Sequence, residues 1–246
     1  MSKKVKTGRT VAVIQARLGS SRLPMKSLLC LRDLPVVNWV AHRLSQASRL
    51  DGIVAAIPDT RLDQALFEHL RRHNIPCVAG PEDDVLARML LAARTCDAGL
   101  VVRVCADNPL IWGEAVDRLL AHYESAACDY AYNHIPRNNL WPDGLGAEVV
   151  SRDLLEELDA KAKQPSQREH CLNYIWDNAA SFRISTFDPA EPWLRRPDLK
   201  LDMDSPEDFR RLSLLPLHPD MDAKAIVRIF RKTLPKSADK ASKYTG

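Results

Sequence analysis

Four short apolar runs set the limits on this fold. Residues 11–14, 52–57, 76–79 and 99–104 read as strands, and none of them carries a regular polar face. A strand without period-two alternation is covered on both sides, as in a parallel sheet packed between helices. Helical patterns fall between the runs. Residues 62–73 repeat apolar positions at Leu62, Ala65, Leu66 and Leu70; residues 84–95 do so at Val85, Leu86, Met89 and Leu90; residues 113–125 form a third helix. Repeated βαβ units predict an α/β fold with a doubly wound, mostly parallel sheet.

The second half is less regular. Strands are expected at 129–133, 146–150, 182–187 and 200–203, and helices at 151–161, 168–178, 205–215 and 222–232. Insertions are expected near 134–146 and 161–167. Ser205, Pro206 and Asp208 occupy the cap, first and third positions of a helix start. With no repeat, low-complexity block or linker, one domain is expected over 10–234, with flexible tails at 1–9 and 235–246.

Charge and cysteine usage narrow the function. The net charge is +3, and Lys3, Lys4, Lys6, Arg9, Lys236, Lys240 and Lys243 lie near the ends, so the body is close to neutral. That argues against nucleic-acid binding by broad phosphate neutralisation. No apolar run approaches the ~20 residues that span a bilayer, and no signal-peptide core follows the basic start. The six cysteines form no CxxC pair and no zinc-type spacing, which fits reduced thiols in a cytoplasmic protein.

Parallel sheets bind ligands at the carboxyl ends of their strands. There, after the first run, Arg17, Arg22 and Lys26 surround a Gly19-Ser20-Ser21 turn. Backbone N–H groups and three cations suit a polyphosphate, with a merely solvated surface loop as the alternative. The Walker A pattern fails, since Ser20 and Met25 stand at its two glycine positions, and G-x-G-x-x-G is absent. Asp107 follows the fourth run, and Asp202 and Asp204 follow the short strand expected at 200–203. Mg²⁺ on a polyphosphate takes one or two such carboxylates. From the residues alone, Asp107 is equally a turn residue and Asp204 a helix-cap residue.

Gln15-Ala16-Arg17-x-Gly19-Ser20-Ser21-Arg22-Leu23-Pro24-x-Lys26 resembles the opening signature of the sugar cytidylyltransferases, closest to the spore-coat polysaccharide type. Arg103-x-x-x-Asp107-x-Pro109-Leu110 and Asp202-x-Asp204-Ser205-Pro206-Glu207-Asp208 resemble its second and late motifs. Asp84-Val85-Leu86-x-Arg88, Asp143-Gly144-x-x-x-Glu148 and Arg168-Glu169-His170 extend the likeness over roughly residues 10–215. The resemblance implies a Rossmann-like, nucleotide-diphospho-sugar transferase fold that activates a sugar acid or sugar phosphate with CTP and releases pyrophosphate. It places the nucleotide at Gln15, Ala16, Arg17, Gly19, Ser20, Ser21, Arg22, Lys26, Arg88 and Arg103. Arg17, Lys26 and Asp107 become the catalytic residues, and Mg²⁺ falls on Asp107, Asp204 and Asp202. The acceptor is placed at Asp143, Glu148 and Arg168, with His170 structural. A homodimer is implied, with Trp141 and Leu145 as apolar contributors. Met25 departs from the family's usual glycine. The alternatives are a GTP- or UTP-using transferase and an inert nucleotide-binding module.

Overall fold

The computed structural model describes residues 8–233. The elements in chain order are β1 (Arg9–Gln15), β2 (Cys30–Leu31), β3 (Leu34–Pro35), α1 (Val36–Leu44), β4 (Gly52–Pro58), α2 (Gln64–Arg72), β5 (Cys77–Gly80), α3 (Val85–Thr95), β6 (Ala98–Cys105) and α4 (Gly113–Ser125). They continue with β7 (Tyr130–Tyr132), β8 (Glu148–Ser151), α5 (Arg152–Lys161), α6 (Pro165–Glu169), α7 (Asn173–Asp177), β9 (Ile184–Ser185), α8 (Pro206–Leu214) and α9 (Ala223–Thr233).

One seven-stranded sheet runs in the order β5-β4-β1-β6-β8-β7-β9. β5, β4, β1 and β6 are parallel neighbours, β8 is antiparallel to both β6 and β7, and β9 runs parallel to β7. Alternate strand residues face opposite sides. Ala12, Ile14, Ala55 and Ile57 pack with Val37 and Val40 of α1, Leu66 and Leu70 of α2, and Val116 and Leu119 of α4. Val11, Val13, Val54 and Ala56 pack on the other side with Val85 and Met89 of α3 and Leu154, Leu155 and Leu158 of α5. Both faces are covered, which is why the strands lack a polar face. A third cluster joins Trp39 of α1 to Trp141, Leu145, Leu201 and Met203, and to Leu212, Ile226 and Phe230 of the last two helices.

Several local expectations change. No strand or helix pattern stands out between 29 and 51, yet α1 forms there. Val36, Val37, Trp39, Val40 and Leu44 are all buried against the sheet or the third cluster, so tertiary packing overrides a β-branched sequence. Leu62 and Ala65 are exposed, Leu62 by 52%, because the helix starts at Gln64 and buries Leu66 and Leu70 instead. The helix expected at 168–178 is two short helices broken around His170–Leu172. The strand at 182–187 shrinks to Ile184–Ser185, and the one at 200–203 to a single bridge between Lys200 and Asp143. Trp141 and Leu145, expected at a dimer surface, are fully buried. The expected tails fall outside the described residues except for Gly8 and Arg9, and Arg9 opens β1. Ser205 and Asp208 form the expected reciprocal cap of α8. The six cysteines carry no disulfide, and Cys30 is exposed.

Candidate active site

The loop leaving β1 is held by its backbone and by one carboxylate. Leu18 N–H donates to Asp63 Oδ1 at 2.7 Å, and the Thr60 hydroxyl donates to Asp63 Oδ2 at 2.7 Å. Asp63 is almost fully buried at the start of α2. Nothing in the sequence marks this role, because an acid inside a helix-start pattern looks like a cap. Met25 N–H returns to Leu18 O at 3.0 Å, the Ser27 hydroxyl donates to Arg17 O at 3.1 Å, and Leu23 N–H donates to Ser20 Oγ at 3.2 Å. These bonds close the loop into a tight ring. Gly19 and Ser21 stand exposed on it, while Ala16 is buried beneath.

Met25 takes φ 61° and ψ 13°, the left-handed region, and the single helical turn Lys26–Leu28 follows directly. A side chain is costly there and glycine is free of that cost, so the turn accounts for the glycine usual in the family. The reversal aims Lys26 inward. Its ammonium lies 2.5 Å from Asp107 Oδ2 and 3.3 Å from Asp204 Oδ1, and Arg22 Nη1 lies 3.1 Å from Asp204 Oδ2. Burial alone lowers the Lys26 pKa, but the charges and hydrogen bonds of Asp107 and then Asp204 outweigh it and hold it above its ordinary value. Met203 N–H donates to Asp107 O at 2.8 Å, which fixes the two carboxylate-bearing segments side by side.

Two aspartates sharing one cation are a hard-oxygen donor set, the kind that could hold a divalent ion in place of the Lys26 ammonium. Asp202 does not join them. It faces Lys200 Nζ at 3.2 Å, and among the described residues no group of three His, Cys, Asp or Glu converges. The metal expectation therefore narrows to Asp107 and Asp204. Asp143 lies nearby with its pKa raised to about 7, by burial first and then by Asp202 and the other two aspartates. Its backbone is stitched to the 199–201 segment through Asp143 N–H to Leu199 O and Leu201 N–H to Asp143 O, both 2.9 Å.

Other expected site residues are already partnered. Arg103 binds Glu148, and its Nη2 donates to Gln15 Oε1 at 2.8 Å. Glu148 also accepts from the Tyr130 hydroxyl at 2.5 Å. Burial opposes the Glu148 charge, but Arg103 and His134 outweigh it and lower the pKa. Glu148 is thus the buried counter-ion of Arg103. Arg168 is likewise paired, with Asp84 at 2.5 Å and Asp159 at 2.7 Å, and ties α6 to α3 and α5. Asp84 caps α3 by accepting from Ala87 N–H. Arg17 faces Glu169 at 3.7 Å, a half-exposed pair between residues far apart in sequence.

A basic loop after β1 and carboxylates at the end of β6 and before α8 share one rim of a doubly wound sheet, the arrangement that a nucleotidyltransferase requires. The comparisons carry this further: residues 11–237 match the family described as cytidylyltransferase, and the chain belongs to that family. An uncharacterized protein of Methanocaldococcus jannaschii, MJ1063, is 32% identical over 227 residues, covering 91% of each chain. The Bacillus subtilis spore coat polysaccharide biosynthesis protein SpsF is 27% identical over 230 residues, covering 89% of this chain and 93% of its own. A solved cytidylyltransferase of Leptospira borgpetersenii superposes with a TM-score of 0.82 at 24% identity, over 92% of this chain and 95% of that one, and so shares the fold.

Proposed function

We propose that the protein is a Mg²⁺-dependent cytidylyltransferase that activates a sugar acid or sugar phosphate with CTP for glycan assembly. The observation that supports this best is Lys26 lodged between Asp107 and Asp204, with Arg17 and Arg22 on the same rim. Asp107 and Asp204 would hold the ion, which when bound neutralises phosphate charge and polarises the attacked phosphorus. An acceptor oxygen attacks the α-phosphorus, the bond to the bridging oxygen breaks, and pyrophosphate leaves. Negative charge then grows on the bridging and leaving oxygens. Lys26 leaves the carboxylates for the phosphates, and Arg17 and Arg22 flank them. Fixed cations in a half-enclosed site stabilise that charge without solvent reorganisation. Ser20, Ser21 and the backbone of Gly19 orient the triphosphate. A sugar-phosphate acceptor arrives with an ionised oxygen, so it needs no general base.

The likeness to a spore coat polysaccharide protein supports a glycan precursor as acceptor. Among the described residues no helix is long and apolar enough to cross a membrane, and we place the enzyme with its soluble substrates in the cytoplasm. We also propose a homodimer, with a surface other than Trp141 and Leu145. The first test is a thermal melt with CTP, GTP, UTP and ATP, each with and without Mg²⁺. Ligand at ~100 times its Kd adds about 2.7 kcal/mol, a shift of roughly 5–10 °C. A shift confined to Mg²⁺ with CTP is expected, followed by pyrophosphate release across a panel of sugar acids and sugar phosphates. A shift with another nucleotide redirects the donor; CTP binding without pyrophosphate release on any acceptor argues for an inert module.

A further inference from the structure

We propose that the outer faces of α8 and α9 form a docking surface for bilayers that carry anionic phospholipid headgroups. This surface is separate from the rim, and docking on it needs no nucleotide.

α9 divides into two faces. Ile226, Val227 and Phe230 are buried in the third cluster with Leu212 of α8. Lys224, Arg228, Arg231 and Lys232 are exposed. Spacings of four, three and one place these cations on one stripe, and no acid stands within the helix. On α8, Arg210 and Leu214 are exposed one helical turn apart. The two helices meet at a groove lined by Arg210, Arg211, Leu214 and Phe230, with Glu207 as its one acid. The Arg211 guanidinium lies 5.4 Å from the centre of the Phe230 ring. Leu214 is 77% exposed, more than any other large apolar side chain among the described residues.

Exposed cations elsewhere face carboxylates: Arg49 faces Glu124, Arg94 faces Glu156 and Arg183 faces Asp129. Arg210, Lys224, Arg228, Arg231 and Lys232 face none among the described residues. Asp208 is held by Lys200 and Arg211, and Asp222 accepts from Ala225 N–H at 2.7 Å, so neither pairs with the stripe. The formal net charge of the chain is +3 and would be −2 without these five cations. Attraction to a negative surface is therefore carried by few positions. α9 leads in the sequence to three more, Lys236, Lys240 and Lys243, with Asp239 the single acid among them.

The chemistry of the patch favours lipid over protein or nucleic acid. Protein interfaces turn on aromatic anchors fitted into pockets, and nucleic-acid strands stack on exposed rings. Here the ring, that of Phe230, is 2% exposed, and the side chain that projects is a leucine. Long cationic side chains along a helix face suit headgroups that move to meet them, and a projecting leucine suits the boundary between headgroups and acyl chains. α8 starts just after Asp204 and ends at Leu214, a length of about 13 Å. Leu214 thus stands off from the rim by about that length.

The test is co-sedimentation of the full chain with vesicles of phosphatidylcholine, alone or mixed with phosphatidylglycerol, at low and high salt and without nucleotide. Binding is expected only with phosphatidylglycerol, and it should fade at high salt, where exposed charges are screened. Each Lys or Arg near such a surface is worth roughly fivefold in partitioning. Arg228→Gln, Arg231→Gln and Lys232→Gln combined in one chain should therefore weaken binding by about 100-fold. Leu214→Ser should weaken it several-fold and leave the salt dependence unchanged. The lipid and salt comparisons use the native chain, so they decide even if a variant fails to fold. Equal binding to neutral vesicles, no binding to anionic ones, or a triple variant that binds like wild type overturns the proposal. Binding of polyglutamate or single-stranded RNA without binding to vesicles assigns the surface to an acidic protein or a nucleic acid, and overturns it too.

Discussion

Two clusters of paired charge sit a few residues apart, and they are built differently. Lys26, Asp107 and Asp204 meet at the rim, with side chains 14%, 21% and 24% exposed and with Arg22 reaching in from solvent. Arg103, Glu148, Tyr130 and Gln15 meet beneath the rim, where Glu148 is nearly closed off and its carboxylate oxygens are bonded to Arg103 and Tyr130. The inner cluster ties β1 to β6, β8 and β7 across the middle of the sheet. The outer one links three segments that the backbone already fixes. Under the proposed function its ionic partners are the ones to be exchanged for ligand, while the inner ones stay in place.

Removing a charge should separate the two. Glu148→Ala leaves the Arg103 guanidinium buried without its counter-ion, and a broken buried pair of this kind costs about 3–5 kcal/mol. In a chain of this length that lowers Tm on the order of 10 °C, read by denaturation without ligand; a drop of only a degree or two would place Glu148 with the exchangeable group. Lys26→Met should leave Tm within a few degrees and cut turnover by ~10²-fold or more, the scale of one lost charge-stabilising donor. The same variant should bind Mn²⁺ without nucleotide more tightly than wild type, because no ammonium then competes for Asp107 and Asp204. Equal Mn²⁺ affinity, measured by electron paramagnetic resonance, would show that Lys26 does not stand in the ion's place.

Asp143 sharpens the contrast through pH. Its folded pKa of about 7 lies above the ordinary carboxyl value of 3.8. Between those values the folded chain holds a proton that the unfolded chain has released. Stability therefore falls as pH rises from about 4 to 7 and levels off above. Asp143→Asn should remove that slope and stabilise the protein at pH 8 by on the order of 1–2 kcal/mol, discounted for partial exposure. Melts at pH 5 and pH 8 check this, and an unchanged slope would assign it to another group.

The parallel half of the fold was legible because burial on both faces leaves a direct mark on strand composition. The rim was legible because its cations and acids stand at strand ends in long motifs. What was not legible depended on partners distant in sequence. Glu148 pairs with Arg103, and Arg168 with Asp84 and Asp159, across gaps that no local pattern announces. Asp63 looks like a helix cap until Leu18 N–H reaches it from 45 residues away. Trp141 and Leu145 lie in an irregular stretch with no period to show that α8 and α9 would help cover them.

The smallest effect expected is at Met25, and it tests how the rim cluster is aimed. Both Met25→Ala and Met25→Gly remove the side chain, which is 38% exposed. Only glycine also relieves the left-handed backbone, worth roughly 1 kcal/mol or slightly more. Glycine gives back part of this through the freedom it adds to the unfolded chain. The difference between the two variants, about 0.5–1 kcal/mol or 1–4 °C in Tm, reads the backbone strain alone. If that strain holds Lys26 against Asp107 and Asp204, relieving it should also weaken the competition of the ammonium with Mn²⁺. Glycine would then bind the ion slightly more tightly than alanine, in the same direction as Lys26→Met and by much less. A Tm difference without that change in Mn²⁺ binding would mean that Lys26 is held by its two carboxylates and not by the turn that presents it.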